Sequence, residues 1–143
     1  YEHLQLRINA KTDYTVATPS FGAIRFNGDT GSNYSAHRMI GADSTISALA
    51  VTGNTEMYTG RFAPSKLTAE FGGMVLDILD YANTNKNTTC SGLSGVGDTT
   101  NLVQADSGLW DDTAAVHTIL ISQSGGSNFL RGSEFTLYGI KSS

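Results

Sequence analysis

Polar and apolar residues alternate with a period of two along much of this chain. From His3 to Ile8, Leu4, Leu6 and Ile8 fall on one side and His3, Gln5 and Arg7 on the other. That pattern predicts a half-buried strand starting almost at the first residue. Ala23 to Phe26 repeats it, with Ile24 and Phe26 opposed to Ala23 and Arg25. The following Asn27-Gly28-Asp29-Thr30-Gly31-Ser32-Asn33 combines positive-φ residues with short capping side chains and predicts a tight reversal. His37 to Ile40 reads as a short strand, and the small, polar run Gly41 to Asn54 as a long surface connection or an irregular edge. The pattern resumes from Thr55 to Phe62 with Met57, Tyr58 and Phe62, and Pro64 closes the segment because it cannot donate to a ladder.

Phe71 to Leu79 is the most apolar stretch, with Met74, Leu76 and Ile78 opposite Val75, Asp77 and Leu79, as expected of a central strand. Asp80 to Asn85 reads as a turn and Asn87 to Leu93 as the returning strand of a hairpin-like pair. Gly92, Gly95 and Gly97 with Asp98 predict a further loop before a strand from Leu102 to Ala105. After Trp110, the run Asp111 to Ala115 has the composition of one helical turn with an acidic cap. His117 to Gln123, with Ile119 and Ile121 inward, and Phe135 to Ile140 complete the series. Eight or nine short strands without helical crossovers predict an all-β fold: an antiparallel two-sheet β-sandwich, jelly-roll-like, in a single domain over residues 1–143.

Composition agrees and removes several functions. Gly, Thr, Ser and Asn supply 57 of the 143 residues, while Glu and Lys number four each, a strand-and-turn make-up poor in helix formers. The net charge of -4 and nine scattered basic residues exclude a nucleic-acid footprint, which needs clustered Lys and Arg. No apolar run reaches the length of a membrane-spanning helix, so no membrane insertion is expected. The one cysteine, Cys90, excludes an internal disulfide framework and a Cys-rich zinc site, and reads as a half-buried strand residue. Tyr1 in place of an initiator methionine suggests the C-terminal part of a longer product.

Candidate chemistry is sparse. Ser, His and Asp all occur, but no G-x-S-x-G elbow stands between a strand and a helix. His3, His37 and His117 lack the spacing that would place two of them on one metal. Asp111 with Asp112, and Asp77 with Asp80, do not share a strand face as a glycosidase pair would. Neither an enzyme, a metal nor a cofactor is therefore expected. Asn27, Asp29, Thr30, Asn33 and Tyr34 offer oxygens and a ring in one loop that could take a calcium ion or a sugar, but the stretch lacks an EF-hand ligand pattern and its default reading is a turn scaffold. Trp110 reads either as a sugar-stacking platform or as a core anchor. The candidate ligand-binding residues are thus Asn27, Asp29, Tyr34 and Trp110.

Several segments taken together resemble a family. Tyr1-Glu2-His3-Leu4-Gln5-Leu6-Arg7 leads to Arg25-Phe26-Asn27-Gly28-Asp29-Thr30-Gly31-Ser32-Asn33-Tyr34, and then to Asp77-Ile78-Leu79-Asp80-Tyr81-Ala82-Asn83-Thr84-Asn85-Lys86. Gly108-Leu109-Trp110, Thr113-Ala114-Ala115-Val116 and Phe135-Thr136-Leu137-Tyr138-Gly139-Ile140-Lys141 follow. This series resembles a domain of virion structural proteins in tailed bacteriophages, especially marine ones, of the fibre or decoration kind. The resemblance covers nearly the whole chain. It implies a β-sandwich displayed on the capsid or tail surface, with no catalytic residues. Its partners would be copies of itself, a homotrimer in the first instance, and other virion proteins. A host receptor-binding module recognising bacterial surface glycans is the alternative, with the loop residues or Trp110 making the contacts.

Overall fold

The computed structural model describes residues 1–16, 18–97 and 101–141. Ten strands form two antiparallel sheets that pack as a β-sandwich. They are β1 (His3–Ala10), β2 (Ser20–Phe26), β3 (Tyr34–Ala42), β4 (Thr45–Asn54), β5 (Met57–Phe62), β6 (Gly72–Leu79), β7 (Thr88–Val96), β8 (Leu102–Trp110), β9 (Ile119–Gln123) and β10 (Glu134–Ile140). The large sheet has seven strands in the order β10-β1-β6-β7-β8-β3-β4, and the small sheet has three in the order β5-β2-β9.

The alternation predicted for β1 and β6 is the burial pattern found. Leu6, Ile8, Met74, Leu76 and Ile78 enter the core while Arg7, Val75 and Asp77 face outward. Register carries the same inner face across the large sheet, through Leu6↔Leu76↔Gly92↔Asp106↔Arg38. Against it lie Ile24 and Phe26 of β2, Met57 and Phe62 of β5, and partly buried Ile119 and Ile121 of β9.

The small sheet lies across the strands of the large one, and β5 makes the crossing. Met57 sits on Gly108 of β8, Thr59 reaches Gly92 of β7, and the Arg61 carbonyl passes over Gly72 of β6. Just beyond, the Ala63 amide donates to the Ala10 carbonyl of β1. All three glycines are on the inner face. A Cβ at Gly72 would stand 2.8 Å from the Arg61 carbonyl oxygen and 3.1 Å from the Ala63 nitrogen. Two polypeptide backbones can come this close only where no side chain separates them.

Four sequence expectations change. The strands number ten, not eight or nine, because much of Gly41 to Asn54 is the regular strand β4. It is an edge strand exposed on both faces, so it needs no apolar face and its composition looks like that of a loop. Gly92 and Gly95 lie within β7 rather than in a loop, Gly92 facing the filled inner side, where Leu76 of β6 and then Thr59 of β5 occupy the space of a side chain; Gly97 follows the strand and Asp98 falls outside the described residues. Asp111 to Ala115 is not helical: the Ala114 amide donates to the Asp112 carboxylate at 2.7 Å, a local turn that competes with a helical start. Cys90 is fully buried rather than half-buried, since it sits on the inner face of a central strand, and burial pushes its thiol up.

Gly72→Ala should therefore destabilise the fold by about 1–3 kcal/mol, the usual cost of forcing extra volume into a packed interior. Gly73→Ala, the next residue but on the outer face with open space around it, should stay within about 0.5 kcal/mol of the parent. Urea unfolding of the two variants checks the difference.

Candidate functional site

The Asn27–Asn33 reversal brings three of the four candidate residues, Asp29, Tyr34 and Trp110, into one cluster. Asn27 and Gly28 both take positive φ, at 53° and 69°, as the Asn-Gly step predicts. The turn closes by the Asp29 amide donating to the Phe26 carbonyl. Asp29 is then held under Trp110 of β8. The indole Nε1 and the Asn33 amide each donate to Asp29 Oδ2 at 2.8 Å, and the Gly31 amide donates to Oδ1 at 2.7 Å. These donors, the indole first, hold the Asp29 carboxyl below the ordinary carboxylate range.

Tyr34 enters the same cluster from β3. Its hydroxyl accepts from the Phe26 amide at 3.0 Å and faces the Phe26 and Asp29 carbonyls at 3.3 and 3.4 Å. Burial pushes its ionisation upward. The Trp110 ring packs against Phe26 at 5.6 Å and against Tyr34 at 6.4 Å, and is only 1% exposed. Asn27 points elsewhere: its Oδ1 accepts the His117 and Thr118 amides and its Nδ2 donates to Ala115, tying the segment before β9 to the turn. The ring that a sugar would stack on thus lies inside the protein, and each polar group of the cluster has an internal partner. This chemistry fastens β2, β3 and β8 to one another.

The histidines stay apart. His3 Nδ1 accepts the Asp80 amide, His37 lies exposed on the outer face of β3, and His117 is exposed before β9. Among the described residues, no three of His, Cys, Asp and Glu come together.

A second polar cluster has no signal in the sequence, because its members come from separate strands. Arg61 of β5 donates through Nε to Gln104 Oε1 at 2.9 Å and through Nη1 to the Pro19 carbonyl at 2.8 Å. Its guanidinium lies 3.4 Å from the centroid of the Phe21 ring, with that of Arg38 at 4.2 Å from the same centroid. Asp106 accepts the Gly60 amide at 3.0 Å and Gln104 Nε2 at 2.7 Å. Burial, and then repulsion from Arg38, lower Arg61 to about 10, whereas burial raises Asp106. Arg38 keeps Nε and Nη1 without hydrogen-bond partners. The cluster fills the inner face where β5 leaves β8 and β3, and replaces an apolar core there.

The largest uncovered feature is the outer face of the large sheet. One row of side chains runs Arg7, Val75, Leu93, Ala105, Met39, Ala48 across six neighbouring strands. The next runs Asn9, Gly73, Gly95, Val103, Gly41, Ile46. Met39 and Leu93 are 58% exposed and Ile46 81%. From β6 to β4 neither row carries a charge. The glycines and alanines leave shallow grooves between the larger side chains, one floored by Gly73 and Gly95 between Val75, Leu93 and Val103. Alternation hid this face, because each of its residues reads singly as the exposed half of a strand.

Comparisons with protein-family models, with curated proteins and with solved structures return no match. The Asp29 cluster is tested on its own chemistry. Asp29→Ala leaves the buried Trp110 N–H without a partner and should cost about 1–3 kcal/mol, with Asp29→Asn losing less because it keeps an acceptor. The folded pKa of Asp29 lies below its unfolded value. Its contribution is therefore complete above the unfolded value, near pH 4, and is lost as pH falls through the folded one. Denaturant midpoints stepped down in pH, followed by the fluorescence of the single tryptophan, should fall less steeply in Asp29→Asn than in the parent.

Proposed function

We propose that this chain is a structural domain of a tailed-bacteriophage virion, displayed on the particle as part of a tail fibre or capsid decoration. It assembles there through the outer face of its large sheet. The observation that carries this reading is the pair of uncharged rows centred on Leu93, Met39 and Val103, an apolar surface that a monomer would leave in water. Seven strands spaced ~4.8 Å apart, with four outward positions ~6.8 Å apart on each, give a face of roughly 900 Å², enough for the ~800 Å² per partner of a standard stable interface, with the two uncharged rows forming an apolar centre of roughly 330 Å². The resemblance of the Tyr1–Arg7, Arg25–Tyr34, Asp77–Lys86 and Phe135–Lys141 segments to phage virion domains supports the setting. Subunits of such particles meet by symmetric contacts, and a homotrimer is the closed form favoured here. The internal partners of Asp29 and Trp110 favour assembly over glycan binding by that cluster.

Light scattering should give a mass that is a whole multiple of three times the 15.1 kDa of the chain. Leu93→Lys combined with Met39→Lys places two charges on the face and should weaken assembly at least ~10-fold, with an unchanged unfolding midpoint at a concentration where parent and variant are both monomeric. A parent that stays monomeric at high concentration, or an assembly indifferent to both lysines, overturns the reading. Host-cell adsorption competed by surface glycan and lost in Asp29→Ala would instead establish the receptor-binding alternative.

A further inference from the structure

Strand β4 is an open edge with a particular geometry. It pairs only with β3, and among the described residues no further backbone hydrogen bond ties it to another part of the chain. Its ten residues, Thr-Ile-Ser-Ala-Leu-Ala-Val-Thr-Gly-Asn, include no charge and no proline, and nearly all are exposed. Folded proteins ordinarily guard such an edge with lysine, proline, a bulge or a covering segment. Here the register shift lies at the far end of the strand, opposite Tyr34 and Ala36, leaving Thr45 to Val51 regular. The opposite edge, β10, starts at Glu134 and is followed by Lys141.

We infer that β4 is a pairing edge for a second copy of this chain, joined antiparallel to the β4 of that copy about a two-fold axis. Sheet topology selects the partner. Every neighbouring pair in the large sheet is antiparallel, and its strands number seven. An odd antiparallel sheet has edge strands that run the same way, so β4 beside the β10 of another copy, with the faces kept continuous, would be a parallel pair. Beside another β4, rotated about the sheet normal, it is antiparallel and continues the ladder already present. The same rotation sends the turn residue Asp43 of each copy to opposite ends of the joint, so the two carboxylates do not meet. Side chains of β4 project from the two faces of the sheet rather than toward the joint, so Ile46 and Leu49 do not obstruct it. The rows through Ala48 and Ile46 would then run without a break from one copy into the other. This inference stands on edge chemistry and strand direction, separately from the apolar outer face.

Single cysteines test it cleanly, because the native Cys90 is buried and its thiol is pushed up. Cysteine is placed in turn at Ser47, Ala48, Leu49 and Ala50, and at Thr136 of β10 as a control. Oxidation should give a covalent dimer at a single β4 position, since a two-fold axis normal to the sheet sets only one residue opposite its own copy. The Thr136 variant should remain uncrosslinked. In the parent, β4 amides should gain hydrogen-exchange protection as concentration rises. Ser47→Lys with Ala50→Lys should weaken the pairing at least ~10-fold while leaving the unfolding midpoint in place. Exchange of β4 amides that is independent of concentration, or β4 variants that never crosslink, would refute the inference. Leu93→Lys and Met39→Lys report separately on the outer face, so the failure of one contact is told from the failure of the other.

Discussion

The close passage of β5 over the inner face of the large sheet is the constraint on which the rest of the molecule depends. Where Gly108, Gly92 and Gly72 remove side chains from β8, β7 and β6, a strand can lie diagonally across them, and at Gly72 backbone meets backbone. The crossing fixes the small sheet at a steep angle to the large one. Phe26 is thereby set against Trp110, and Phe62 and Met57 against the centre of the sandwich. Loss of volume at three positions in the large sheet is thus matched by bulk in the small one, as interior packing density requires.

Charge follows from the same geometry. A strip of β3 and β8 lies at the margin of the area that β5 covers, and polar residues fill it: Arg38, Gln104 and Asp106 beneath Arg61 and Phe21. Burying these groups is unfavourable unless partners are supplied, and the Gly60 amide, the Pro19 carbonyl and the Phe21 ring supply them. The Asp29 cluster repeats the principle at the other end of the sandwich. In both places the polar atoms turn inward to hold strands, and the outer face of the large sheet is left small, apolar and uncharged through its middle.

Much of this was legible in the sequence where residues act locally. Alternation in His3 to Ile8 and in Phe71 to Leu79 gave β1 and β6 with the right faces, and the Asn27-Gly28 step gave its turn. What stayed hidden depends on distant neighbours. Trp110 and Asp29 are 81 positions apart, so no spacing rule joins them, although each was singled out alone. Gly92 reads as a loop residue until the strand that crosses it is known. Strand β4 reads as a connection or an irregular edge, because an edge without a buried face shows no hydrophobic period. Arg38 and Arg61 gave no warning, since an arginine in a strand is ordinarily on the surface.

The order of strands in the large sheet also bears on how the chain is made. β1 lies between β6 and β10, and Arg7 is paired with both Val75 and Thr136. Tyr34 of β3 likewise pairs with Trp110 of β8. An emerging chain therefore holds β1 without a partner until β6 has followed, and without its second partner until β10 has. Contacts of such long sequence separation form slowly. The Ser, Thr and Asn of the intervening segments help keep a waiting strand hydrated rather than adhesive, so a composition that reads as loop-rich in the finished protein also suits the chain while it is still incomplete.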